Sequence, residues 1–190
     1  MRRVPYPVSI ITATDPSSTN NNNIPSHSFR GMTVSSFNTV TLTPEPVISF
    51  NVKRPSETLT ALRSSRRFLA HLLAPNKATA TLARDFSRGN HNLTILDGKG
   101  EFEFVGHDSA DGGLLPMLRR RGATENSGGE EDFPFIFECR VNEQEMEVHD
   151  HTIVLGTVVR TLVGGSRDDA KRDFCLSYAD TRFWGMGRQI

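Results

Sequence analysis

The chain has 190 residues and a mass of 21.1 kDa, and its 22 Lys plus Arg balance 22 Asp plus Glu, so its formal net charge is zero. That length fits a single domain able to bury roughly 70% of its unfolded surface, and zero net charge gives no field for gripping nucleic acid or an anionic membrane. The two cysteines, Cys139 and Cys175, have no second Cys or His at metal-ligand spacing, and no run approaches the roughly 20 apolar residues of a membrane span. MRRVPYPVSIITA carries too short an apolar stretch for a signal peptide. The expectation is an intracellular, cytoplasmic protein, or a mitochondrial one if an upstream targeting segment has been removed.

In chain order, residues 7–13 form a short β-branched strand, followed by DPSSTNNNNIPSHS, a turn-rich loop over 15–28 with almost nothing to bury. Residues 29–42 are the next strand candidate. TPEP breaks it before VISFNVK, where Val47, Ser49, Asn51 and Lys53 alternate with Ile48, Phe50 and Val52, the pattern of a half-buried strand. SETLTALRSS predicts a short helix with Ser56 as N-cap and Leu59 and Leu62 on one face.

Residues 67–74 return to strand character, and KATATLARDFSRG sets Ala78, Leu82 and Phe86 on one helical face, with Gly89 as the stop. Residues 106–132 mix glycine and charge around a helical turn at LLPMLRR and are expected to form a flexible loop insertion. FPFIFECRV and HTIVLGTVVRTLV complete the strands, the second bending at Gly156. Many short strands and few helices favour a closed or partly closed antiparallel barrel over a doubly wound sheet. No strand, Gly-rich loop and helix fingerprint for a dinucleotide is present, nor a G-x-S-x-G elbow.

Two polar constellations remain. KRPSET gathers Lys53, Arg54, Ser56 and Thr58 at a strand-to-helix junction, where charged donors, hydroxyls and free N–H groups suit a phosphate, though Ser56 could simply cap the helix beside solvated bases. GMTVSSF adds Thr33, Ser35 and Ser36, which would otherwise read as a polar edge strand. In VHDHTIVLG, His149 and His151 share one face of an extended chain with Asp150 on the other. Without a third ligand, a histidine lining a pocket is the better functional expectation than a metal site.

Taken together, GMTVSSF, PEPVISFNVKRPSETLTAL, RFLAHLLA, LARDF and DHTIVLGTVV resemble, in order and spacing, the flavin reductase-like family with the FMN-binding split-barrel fold. The resemblance implies a mainly β, six-stranded antiparallel split barrel with flanking α-helices, in one domain spanning residues 1–190. It also implies a homodimer that binds FMN, or FAD, and reduces it with NADH or NADPH, with a flavin-dependent monooxygenase as a partner. By position, Thr33, Val34, Ser35 and Ser36 match the segment along the flavin ring and ribityl chain, and Asn51 is also expected among the cofactor-binding residues. Lys53, Arg54, Ser56 and Thr58 match its phosphate cradle. His71, Leu72 and Leu73 match the segment beneath the ring, Phe86 an aromatic of the following helix, and His151 the histidine near the nicotinamide. His71 stands where the family commonly has Asn, which puts one polar contact to the flavin in question. The rival expectations are a flavin-binding module that turns over no pyridine nucleotide, and a split barrel holding haem or pyridoxal phosphate.

Overall fold

The structure is a computed structural model, and it describes residues 3–16, 28–90, 95–96, 98–123, 131–163 and 175–185. The expected loop over 15–28 falls mostly outside the described residues.

Among the described residues, twelve strands and two helices follow one another as β1 (Tyr6–Pro7), β2 (Ser9–Thr14), β3 (Phe29–Val34), β4 (Asn38–Thr41), β5 (Val47–Lys53), α1 (Glu57–Ser65), β6 (Arg67–Leu72), α2 (Lys77–Phe86), β7 (Phe102–Asp108), β8 (Leu114–Arg120), β9 (Phe135–Val148), β10 (His151–Val163), β11 (Ser177–Ala179) and β12 (Arg182–Trp184). The main sheet is antiparallel with order β3-β2-β6-β9-β10-β5-β4. Its two edge strands, β3 and β4, are joined by residues 35–37 alone. So short a link spans only about 10 Å, and the sheet must therefore curl until its edges meet, which makes it a barrel split at that seam. It has seven strands rather than six, because the single strand expected over 29–42 is two strands on opposite sides of the seam.

Strands β2 and β6 are covered on both faces, so every residue of β2 is buried, Ser9, Thr12 and Thr14 included, and so are Phe68 to Leu72 of β6. Ile11, Ala13, Phe68, Ala70 and Leu72 point into the barrel with Phe50, Val52, Val141 and Val154, and α1 closes it with Leu59 and Leu62. Ile10, Leu69 and Leu73 point outward under α2 and the β7–β8 hairpin, against Phe86, Leu118 and Phe133. Glycine serves close approach at two places. A Cβ on Gly31 would meet Phe86 Cδ1 at 2.7 Å, and one on Gly156 would meet Phe68 Cζ at 2.5 Å. At Gly156 the β9–β10 register also shifts, so the bend expected in β10 is present.

Within the expected flexible insertion over 106–132, residues 106–120 are instead ordered, while 124–130 lie outside the described residues. LLPMLRR is strand β8, paired residue by residue with β7 from Phe102↔Arg120 to Asp108↔Leu114. Pro116 is incompatible with a helix interior, and Gly112 and Gly113 supply the left-handed φ angles, 91° and 90°, that turn the hairpin. Its backbone is anchored to the barrel by Thr12 Oγ1 donating to Pro116 O at 2.6 Å, and by Leu118 N donating to His71 Nε2 at 3.1 Å. Buried Glu138 of β9 holds the hairpin loop, accepting from Ser109 Oγ and Ala110 N at 2.7 Å each and from Arg160 Nη2 at 2.6 Å. No helix among the described residues is long and apolar enough to cross a membrane.

Candidate functional site

The polar segment at the seam separates two functional neighbourhoods. On one side, Thr33 and Ser35 line a cavity of about 360 Å³ with Val8, Arg84, Ser87, Tyr178 and Phe183 among its walls. On the other, Ser36 Oγ accepts the backbone N–H of Asn51 at 2.8 Å, which ties the seam to β5. Val34 points into the core, as its place between two outward hydroxyls on a strand requires.

The cavity joins three elements. Thr33 Oγ1 donates to the Ala83 carbonyl of α2 at 2.7 Å, fixing the helix end against β3. The Arg84 guanidinium lies over the Phe183 ring, 5.2 Å from its centroid. Phe183 in turn meets Tyr178 edge-on at 5.4 Å within the β11–β12 pair. Arg84, Ser87, Tyr178, Thr181 and Phe183 were not among the residues singled out from sequence. Their signal is faint. Arg84 flanks the apolar helical stripe of Leu82 and Phe86, and SYADTRFW is a short alternating hairpin.

At the far end of β5, Lys53 stands directly opposite His151 of β10. Asp150 joins the two, its carboxylate 3.7 Å from Lys53 Nζ and 2.7 Å from His151 Nδ1. A carboxylate only accepts, so Nδ1 of His151 carries the proton and Nε2 is left with a lone pair in the neutral ring. The same hydrogen bond holds the Asp150 carboxyl below its ordinary range. Arg54 donates to Glu147 Oε2 at 2.8 Å and to the His149 carbonyl at 2.6 Å. Its buried Nε has no partner.

The residues of KRPSET are placed differently from one another. Ser56 caps α1, accepting from Leu59 N at 3.2 Å, and its hydroxyl proton is still available. Thr58 requires correction: it is 1% exposed and accepts from Asn90 Nδ2 at 3.3 Å, so it braces the site from behind. Asn90, which sequence reasoning missed, also accepts from Gly31 N at 2.8 Å and so ties α1 to β3.

His71 also requires correction. Its ring is fully buried with both nitrogens engaged, Nδ1 with the Ile10 carbonyl at 3.2 Å and Nε2 with Leu118 N. Burial pushes its pKa down to about 3, and it serves the hairpin, not a ligand. Leu73 and Phe86 are core residues, and Leu72 is a barrel-interior residue. None of the three presents a surface to a cofactor. Cys139 and Cys175 are free, and burial raises both thiols, Cys175 to about 11, so neither is an activated nucleophile.

The sequence pattern described as "Flavin reductase like domain" matches residues 1–186. The chain belongs to that family. This flavin reductase-like protein is accordingly a flavin-binding oxidoreductase that draws on NADH or NADPH. In fold it is similar to the flavin reductase HpaC complexed with NADP+, at 20% identity over 98% of this chain and 93% of that one, with a TM-score of 0.64. It is also similar to the styrene monooxygenase flavin reductase of Pseudomonas putida S12, at 20% identity, 100% and 95% coverage and a TM-score of 0.67. A third likeness is to an oxidoreductase from Sinorhizobium meliloti 1021, at 20% identity and a TM-score of 0.65. This chain aligns over 96% of its own length with that protein and spans 49% of it.

Proposed function

We propose that the protein reduces FMN with NADH or NADPH, holding the flavin along residues 33–36 between the cavity and the β5–β10 cluster. The observation that carries this reading is the set of uncommitted polar groups along that strip. The side chains of Ser35 and Arg84 make no hydrogen bond among the described residues, Arg54 Nε is a buried orphan, and buried polar atoms ordinarily have partners. Thr33, Ser35 and Ser36 with Asn51 would hold the ring and ribityl chain. Lys53, Arg54 and Ser56 would take the phosphate, at the start of α1 where free N–H groups favour an anion. The flavin supplies the hydride-accepting chemistry, and the protein supplies orientation and polarity.

His151 is placed to orient the reductant, because Asp150 fixes its ring and leaves Nε2 facing away from that bond. In His151→Ala, flavin affinity should stay within about twofold of wild type. The rate of flavin bleaching at saturating nucleotide should fall roughly 10- to 100-fold, since lost orientation appears as lost rate. Stopped-flow absorbance checks this, and equal rates would remove His151 from the site.

A homodimer and a flavin-dependent monooxygenase recipient complete the proposal. Met146 and Val148 are exposed apolar residues on the hairpin that carries His151, a surface suited to a second copy. The styrene monooxygenase reductase likeness supports the oxygenase. Anaerobic gel filtration after reduction should give about twice the 21.1 kDa chain mass and separate reduced flavin from protein. A monomer contradicts the first part, and flavin retained through the column contradicts the second.

A further inference from the structure

Several arginines in this protein are committed to carboxylates: Arg63 to Glu145, Arg67 to Asp111, Arg120 to Asp132 and Arg160 to Glu138. Arg84 is different. Among the described residues it has no carboxylate partner, yet, although exposed, it lines a cavity with its guanidinium carbon over the Phe183 ring. A guanidinium over an aromatic face is attracted by the ring and still has N–H groups to offer a ligand.

The surrounding hydroxyls decide what it could meet. Thr33 Oγ1 donates to Ala83 O, Ser87 Oγ to Arg84 O at 2.7 Å, and Thr181 Oγ1 to Asp180 O at 2.6 Å. Three protons are therefore spent on carbonyls. The donors left at the cavity are the Arg84 guanidinium, the Ser35 hydroxyl and the Tyr178 phenol, so the complementary ligand group is an acceptor carrying negative charge. Arg84 lies in the last turn of α2 and offsets the negative end of that helix, which would otherwise repel an anion.

We propose that Arg84 and Ser35 form a phosphate subsite for the nicotinamide nucleotide, separate from the flavin phosphate site at the β5–α1 junction. The inference rests on the flavin reductase reading, in which two nucleotides react and each brings phosphate. Thr33 and Ser35 line the cavity with Arg84, while Ser36 is tied to β5, which ends at Lys53, so the anionic ends of flavin and reductant would point apart while their rings meet along the seam. Phosphate from either nucleotide would satisfy the same donors, and the assignment to the reductant follows because Lys53, Arg54 and Ser56 already serve the flavin.

The test uses the full chain with four probes: FMN, riboflavin, NADP+ and NAD+. Dissociation constants are measured by fluorescence or calorimetric titration for wild type, Arg84→Gln, Arg84→Lys and, as a control for lost surface charge, Arg88→Gln. The expected result is a tenfold or greater weakening of NADP+ in Arg84→Gln, unchanged FMN and riboflavin, partial recovery in Arg84→Lys and no change in Arg88→Gln. Equal weakening of NAD+ identifies the pyrophosphate as the bound group, and selective weakening of NADP+ the 2′-phosphate. Loss of FMN with riboflavin and both nicotinamide nucleotides unchanged overturns the assignment to the reductant. No change in any probe, or parallel loss of all four with a lowered melting temperature, overturns the subsite itself. Failure of the wild-type protein to bind any flavin would refute the underlying flavin reductase reading, and that result is visible before a variant is made.

Discussion

Replacing Glu138 by Ala is expected to destabilise the protein by about 1–3 kcal/mol, the cost of leaving the donors of the hairpin loop without their acceptor, since Arg160, 43% exposed, can turn to water. Glu138 accepts two hydrogen bonds from Arg160, one each from Ser109 Oγ and Ala110 N, and a longer one from His107 Nε2 at 3.4 Å. Their removal leaves donors with nothing to replace water. Burial alone would raise this carboxyl, but the bonds from Ala110 N, Ser109, Arg160 and His107 outweigh it and hold the pKa down to about 2. A depressed carboxyl stabilises the fold above its unfolded value and loses that contribution as pH falls from about 4.5 towards 2. Urea unfolding at neutral pH measures the loss, and amide exchange in residues 102–120 locates it, because the loop of the β7–β8 hairpin is what Glu138 holds. A change below about 1 kcal/mol would show that the network contributes little net stability.

His71 should make the fold acid-labile in a different window. Its folded pKa, about 3, lies far below the ordinary 6.5 because burial penalises the imidazolium. The unfolded chain therefore binds a proton that the folded chain refuses. Stability from this group is complete above pH 6.5 and is lost as pH falls towards 3, amounting to about 3 kcal/mol at pH 4 at 1.36 kcal/mol per unit. His71→Phe should be about 1–3 kcal/mol less stable at pH 8, since Leu118 N loses its acceptor, yet should lose less stability between pH 6.5 and 4 than wild type. Urea midpoints across that range decide the matter. An identical slope in the variant would assign the acid sensitivity to other groups.

The elements with a clean period were legible from sequence. VISFNVK alternates because one face of β5 meets the barrel core, and Ser56 with Leu59 and Leu62 marked α1 through a cap and an apolar face. Where sequence reasoning went astray, long-range packing had decided the outcome. GMTVSSFNTVTL reads as one strand, and only closure of the sheet splits it at residues 35–37. LLPMLRR carries Leu114, Leu115 and Leu118 at helix-compatible spacing, while its pairing with β7 and its bonds to Thr12 and His71 lie far away in the chain.

The candidate site divides the same way. The hydroxyl run and the basic junction are contiguous in sequence, so local chemistry exposed them. Arg84 and Phe183 are almost a hundred residues apart, and neither belongs to a motif. His71 sat in the right segment, but strand alternation turns its ring to the face covered by the hairpin, where Phe133 packs edge-on at 5.5 Å.

Anaerobic titration of the FMN-reconstituted protein with NADH and with NADPH, followed by visible absorption, tests the central claim most directly. The account predicts that FMN remains with the protein through desalting and that its bands bleach on addition of at least one of the two nucleotides. Bound FMN whose bands persist through an excess of both would contradict reductase activity and leave a binding module, and failure to retain FMN would contradict the flavin site along residues 33–36.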